Sequence, residues 1–228
     1  MMCDARLFGP QVTALSGTQT LQFAPLSGHA DVGMLSSKIL AHAPPRFALT
    51  GLSMGGIVAM EIVRQAPERV ERLALMDTNP EPDVEAVKAA LESQMTKAKA
   101  GDLVSVMRDE MKPNYLIDGP RRNQILDLFL DMAVGLGIDV FVRQSKALQS
   151  RPDQRDTLRS ICLPTLILCG EDHLLCPPER HLKMHYLIPN SKLEIIRGAG
   201  HLPTLEQPDA TTQRSKALAG EQQWMRNF

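Results

Sequence analysis

Three observations predict an α/β domain built on a mostly parallel sheet: short apolar runs alternate with helical stretches, a glycine-flanked serine sits at one strand-to-helix junction, and a histidine follows a later strand. The expected strands are 20–24, 46–50, 70–76, 164–169 and 192–196, several of them near-continuous apolar runs of the kind that sheets covered on both faces require. Helices are expected over about 31–42, 54–66 and 177–188, and the alternation implies right-handed crossovers between parallel strands.

From about residue 79 to 151 the alternation stops. Three or four amphipathic helices are expected there, interrupted near Gly101, Pro113, Gly119–Pro120 and Gly135–Gly137. Val84, Val87, Leu91 and Met95 recur at helical spacing, as do Ile125, Leu128, Phe129 and Met132. Such stripes are core in the first instance; the functional alternative is an apolar acyl pocket under a helical cap, lined in part by flexible methionines.

The chain has 228 residues, enough for one α/β domain spanning 1–228 with this block as an insertion. With 25 Lys and Arg against 26 Asp and Glu, the net charge of −1 supplies no basic field for nucleic acid or an anionic membrane. The spacing of Cys3, Cys162, Cys169 and Cys176 matches neither a disulfide framework nor a zinc site, so all four are expected reduced and buried. The sequence has no apolar stretch of membrane-spanning length and no signal-peptide core at its start, which points to a soluble, cytoplasmic protein.

The chemistry is concentrated in Gly51-Leu52-Ser53-Met54-Gly55. G-x-S-x-G alone is common, but here a strand-like RFALT precedes it and a helix-like IVAMEIVRQ follows. A turn that sharp has no room for side chains at Gly51 and Gly55, and it lifts Ser53 to the carboxyl edge of the sheet. A hydroxyl needs a base to become a nucleophile, and the Met54 N–H at the helix start is aimed to stabilise an oxyanion. The base is expected at His201, in GAGHLPTLEQP, directly after the last strand and after the serine in chain order. His181 and His185 stand i,i+4 on a helix, but without a third ligand they read as a helix face, so no metal and no cofactor are expected.

The stretches GLSMGGIVAMEIVRQAPERVERLALMDT, PTLILCGEDHLLCPPE and GAGHLPTLEQP resemble the α/β-hydrolase superfamily, particularly its small capped esterases, enol-lactonases, carbon–carbon bond hydrolases and aminopeptidases. The resemblance covers most of residues 40–210. It implies the α/β-hydrolase sheet, a helical cap, and hydrolysis of a small ester, lactone or related acyl substrate by a Ser-acid-His triad.

Two departures from that pattern stand out. Such proteins carry an N-terminal strand that leads into the second oxyanion donor; here the resemblance puts that donor at Met1 or Met2, Met1 being the first assignment, and the strand itself is lacking. Lower turnover and stability are expected from that loss, and the alternative reading is an impaired or non-catalytic ligand-binding module. The acid also departs. The usual loop reads Gly, two residues, Asp, three residues, Pro, and that register puts His173 where the acid belongs, with Asp172 one residue early. Asp172 is the first choice for the acid and Asp77, at the end of the preceding strand, the second; a neutral imidazole at 173 is not expected to substitute for a carboxylate.

Overall fold

A computed structural model describes residues 1–111 and 115–216, so the break expected near Pro113 lies outside the described residues. Four parallel strands form one sheet: β1 (Phe47–Leu52), β2 (Val70–Met76), β3 (Thr165–Gly170) and β4 (Ser191–Ile196), in the order β1-β2-β3-β4. Successive residues along a strand face opposite layers. Leu73, Leu75 and Ile167 join one apolar cluster with Ile57, Val58 and Leu158, whereas Ala74, Met76, Leu166 and Leu168 join another with Ile125, Leu202 and Leu205. β3 is buried along its whole length, as its run of TLILCG predicts.

Residues 20–24, expected as a strand, are not one. They are exposed coil, with Leu21 and Phe23 on the surface. Their alternating pattern fits a half-buried strand, but β1 pairs only with β2 among the described residues, and an alternating segment without a ladder to join has no reason to extend. The chain before β1 is helical instead, with a 3₁₀ turn at Ala5–Phe8, α1 (Gly9–Leu15) and α2 (Val32–Leu40), the last capped by Asp31 Oδ1 accepting from the Met34 N–H.

α3 (Met54–Gln65) follows β1 and carries nine buried residues, so it is the helix most deeply packed on the sheet. Between β2 and β3 lie α4 (Glu85–Lys97), α5 (Leu103–Ser105), flanked by π-helical turns, α6 (Arg122–Leu136), α7 (Ile138–Gln149) and α8 (Arg155–Ser160). Gly101, at φ 108°, breaks the first stretch and Gly137, at φ 80°, separates α6 from α7, both where the sequence marks interruptions. Leu91, Met95, Ile125, Phe129 and Met132 are buried, but Val84 and Val87 are exposed and Leu128 is only partly buried. The buried stripe of α4 starts one turn later than its spacing suggests, at Leu91. α9 (Pro178–Leu187) follows β3; α10 (Pro203–Glu206) and α11 (Pro208–Lys216) follow β4. None of the four cysteines is in a disulfide, but only Cys169 and Cys176 are buried; Cys162 is exposed and Cys3 half-buried. No helix among the described residues is long and apolar enough to cross a membrane.

Candidate active site

The carboxyl ends of four consecutive strands meet at one edge. Ser53 follows β1, Asp77 follows β2, His173 lies in the loop after β3, and His201 in the loop after β4. Ser53 has φ 55° and ψ −118°, a conformation that costs a non-glycine residue of order 1–3 kcal/mol and persists only where its surroundings enforce it. The surroundings are specific. A Cβ on Gly51 would lie 2.2 Å from the Gly55 carbonyl oxygen, so strand and helix touch backbone to backbone there. Gly55, expected to be equally crowded, has open space around its Cβ position; the second close approach is at Gly56, against the Thr78 side chain at 2.6 Å. Thr78 Oγ1 in turn donates to the Ser53 carbonyl (2.8 Å), and the Ser53 N–H donates to Met76 O (2.9 Å). Met54 opens α3, where the first N–H groups have no intrahelical acceptor. At the chain start, Met2 is fully buried at φ 54° and its N–H donates to Gln144 Oε1 (2.7 Å), while the Met1 carbonyl accepts from Cys3 Sγ (3.5 Å).

His201 is 2 % exposed and its Nδ1 lies 2.6 Å from Nε2 of His173. The Cys176 N–H also donates to that Nε2, at 3.3 Å. On the far side of the ring, His173 Nδ1 is 3.0 Å from Asp77 Oδ1, a contact distance at an angle short of a well-formed hydrogen bond. Oδ1 accepts the Gly170 N–H (3.0 Å), whereas Oδ2 of Asp77 is buried without a partner. Asp77 itself is at φ 43°, a second strained residue in the same row. Burial pulls His173 down to about 4 and pushes Asp77 well above the ordinary carboxylate range, with the Gly170 N–H opposing the latter, so both groups resist charge at rest.

Asp172, the first sequence choice for the acid, is exposed, and its backbone N–H is tied to Ala199 O (3.0 Å). The imidazole beside His201 belongs to the next residue. Asp77, the second choice, is the carboxylate that reaches this row, through His173. The register of the loop pointed to position 173; what the sequence reading lacked was a reason for an imidazole there.

Further residues set the loop that carries His201. The His201 N–H donates to Tyr115 O (2.7 Å), and the Tyr115 ring stands edge-on to the imidazole, centroids 4.6 Å apart. Glu206, 7 % exposed, accepts from the N–H groups of Gly200 (3.0 Å) and Leu202 (2.9 Å), one on each side of His201, and from Ile117 (2.9 Å). Arg121 donates to the Glu206 carbonyl. Tyr115 had no motif to announce it, and Glu206 stands in the GAGHLPTLEQP stretch without a role read for it.

Asp77, His173 and His181 offer three buried ligand atoms within 4.8 Å of one another. Of these, His181 Nε2 is already engaged: it accepts the Thr78 N–H (3.1 Å) with Nδ1 turned to Pro177 O (3.4 Å), so a cation using it would have to displace that donor, whereas Asp77 Oδ2 and His173 Nδ1 make no hydrogen bond. His185 does not share a site with His181; its Nδ1 meets Ser191 Oγ at 2.8 Å.

Residues 4–214 match the family described as "Alpha/beta hydrolase family". The chain is 23% identical over 220 residues to the pimeloyl-[acyl-carrier protein] methyl ester esterase of Neisseria meningitidis, covering 91% of this chain and 85% of that protein. It is 24% identical to the biotin biosynthesis bifunctional protein BioHC of Teredinibacter turnerae and 26% identical to the sn-1-specific diacylglycerol lipase ABHD11 of Mus musculus, spanning only 38% and 54% of their lengths. Among solved structures, a thermophilic esterase from Thermogutta terrifontis superposes with a TM-score of 0.84 at 25% identity, covering 95% of this chain and 85% of that one. The enol-lactonase from Burkholderia xenovorans superposes with a TM-score of 0.85 at 21% identity, covering 96% and 88%.

Proposed function

The chain belongs to the alpha/beta hydrolase family, and on that premise we propose that it hydrolyses a small ester, lactone or related acyl substrate with Ser53 as nucleophile and His201 as base. The observation that carries this reading is the strained Ser53 at the β1–α3 turn, on the same sheet edge as a buried histidine whose Nδ1 meets the His173 imidazole. Backbone strain at a polar residue at the sheet's carboxyl edge is the signature of a nucleophile elbow.

In this reaction Ser53 Oγ attacks the carbonyl carbon and its proton passes to His201 Nε2. The tetrahedral oxyanion is met by the Met54 N–H, with a second donor expected at Met1, since the Met2 N–H is engaged by Gln144. Collapse expels the alcohol, which takes the proton from His201. Water, deprotonated by the same nitrogen, then releases the acid and regenerates Ser53. No metal or cofactor enters these steps. The helices of residues 79–151 are proposed as the cap over the acyl group, a role that Met107, Met111 and Phe129 suit by packing as an apolar, deformable cluster. The matched esterases and enol-lactonase support the substrate class.

The test is covalent. A fluorophosphonate probe should label Ser53, as located by peptide mass spectrometry, and Ser53→Ala should abolish both labelling and hydrolysis of short-chain p-nitrophenyl esters. A folded chain that neither labels nor turns over would overturn the reading.

A further inference from the structure

We propose that the carboxylate serving His201 is Asp77 and that it acts through His173, so that Ser53 is backed by an Asp–His–His row rather than by a single acid. This rests on the serine-hydrolase reading above and specifies its positioning residues.

The argument is one of obligatory donors. A backbone N–H cannot accept, so the Cys176 N–H at 3.3 Å requires a lone pair on His173 Nε2. The same lone pair faces His201 Nδ1 at 2.6 Å, and that contact is a hydrogen bond only if His201 Nδ1 carries the hydrogen. A neutral His173 with Nε2 unprotonated must be protonated on Nδ1, the atom 3.0 Å from Asp77 Oδ1. Oδ1 is oriented by the Gly170 N–H, itself an obligatory donor. Two backbone N–H groups, one on Asp77 Oδ1 and one on His173 Nε2, thus fix both atoms as acceptors and set the direction of the row. The outcome for His201 is specific: with hydrogen on Nδ1, its Nε2 is the basic nitrogen, the tautomer that acyl transfer demands.

Charge follows the same row. When the Ser53 proton reaches His201 Nε2, the ring becomes a cation whose Nδ1–H remains on His201 and strengthens its bond to His173 Nε2. His173 stays neutral, in keeping with a pKa drawn down to about 4 by burial. Its polarised Nδ1–H then bears on Asp77. Asp77, with Oδ2 buried and unpartnered, resists ionisation at rest, and its ionised form gains when positive charge develops along the row, a stabilisation larger in the transition state than in the ground state. No proton needs to leave His201 for this to work. Asp172, exposed and held by its backbone to Ala199, contributes nothing to the row.

The experiment has two independent arms. In the first, ¹⁵N-labelled full-length protein is examined by long-range ¹H–¹⁵N correlation at neutral pH. Hydrogen on Nδ1 of both His173 and His201 is expected; hydrogen on Nε2 of His173 would overturn the proposal whether or not any substrate is known. In the second, p-nitrophenyl ester hydrolysis and the rate of Ser53 phosphonylation are compared across variants. His173→Ala and Asp77→Asn should each lower kcat by 10²–10⁴-fold with KM changed less than about threefold, and Asp172→Asn should change neither. His173→Asp, which puts a carboxylate beside His201, should recover at least tenfold over His173→Ala. Loss confined to Asp172→Asn would refute the row, whereas a wild-type Ser53 that never labels would refute the hydrolase reading and leave the spectroscopic arm to judge the row.

Discussion

Replacing Glu206 with alanine should cost the protein both stability and rate, through the loop that holds His201. The wild-type carboxylate takes three backbone donors at 2.9–3.0 Å, from Ile117, Gly200 and Leu202, in a nearly inaccessible position. Each N–H left without an acceptor costs about 1–3 kcal/mol, so three give a gross penalty of roughly 3–9 kcal/mol, reduced where water enters the vacated space. A net loss of about 3–5 kcal/mol is expected, a large share of the ~5–15 kcal/mol that holds a typical domain together. Glu206→Gln separates charge from geometry. One amide oxygen can keep the Gly200 and Leu202 bonds, but the NH₂ then faces the Ile117 N–H, and about 1–3 kcal/mol should be lost. Urea denaturation followed by circular dichroism gives both numbers, and ester kinetics at low denaturant gives the rate. A displacement of His201 by about 1 Å is enough for a hundredfold drop in kcat. If the alanine variant unfolds within about 1 kcal/mol of wild type, the claim that Glu206 ties this loop down is wrong.

Ser53→Gly should abolish phosphonate labelling yet raise the unfolding free energy by about 1 kcal/mol, because glycine accepts φ 55° without the strain that serine bears; a stability equal to or below that of Ser53→Ala would argue against strain at the elbow. His173 and His181, each drawn by burial from an ordinary 6.5 to about 4, bind fewer protons folded than unfolded, so stability is full above pH ~6.5 and falls as pH drops toward ~4, by about 3 kcal/mol per histidine. Asp77 and Glu206, pushed upward by burial, act with the opposite sign, so the diagnostic is the difference: His181→Gln should flatten the slope of stability between pH 4 and 6.5, and an unchanged slope would refute the assignment.

The strand-helix alternation, the serine elbow and the histidine after β4 were legible because each depends on local chemistry: buried strands need apolar runs, a sharp turn needs Gly51, and a loop after a strand ends at the sheet edge. The 20–24 segment misled for the complementary reason. Its alternation satisfies a strand's own requirement, but a strand also needs a neighbour, and pairing is not written in the segment itself. Asp172 was the first choice for the acid, and its side chain is exposed. A carboxylate in that loop was the natural candidate, but one residue decides whether a side chain points into the sheet edge or away from it, and here His173 points in. Glu206 was present in the histidine motif as a residue of no stated role; two of its acceptor bonds are local, to Gly200 and Leu202, but the third reaches Ile117, 89 residues away, which no local pattern could announce.

The sheet itself explains why an imidazole stands at position 173. Strand order equals chain order, and the register aligns Leu52 with Met76, Met76 with Leu168, and Gly170 with Ile196, so the residues that follow these strands emerge at comparable heights in the order Ser53, Asp77, His173, His201. Asp77 and His201 are therefore separated by the whole of β3. Neighbouring strands lie about 4.8 Å apart, and two such spacings, roughly 10 Å, exceed what a carboxylate at a β2 end can bridge with one hydrogen bond. One imidazole placed between them covers the gap with contacts of 2.6 Å and 3.0 Å. A carboxylate at position 173 would stand one strand away from His201 and need no intermediary, as in the loop pattern this chain resembles. With histidine there instead, and with Glu206 taken up by the N–H groups of Ile117, Gly200 and Leu202, the buried carboxylate in line with the row is Asp77, one strand further on, and an imidazole that accepts from His201 at Nε2 while turning Nδ1 to Asp77 makes that distance usable. The same reasoning constrains any repair: His173→Asp with Asp77 retained sets two carboxylates beside each other in a buried site, so one of them should stay protonated, and full activity should require His173→Asp and Asp77→Asn together.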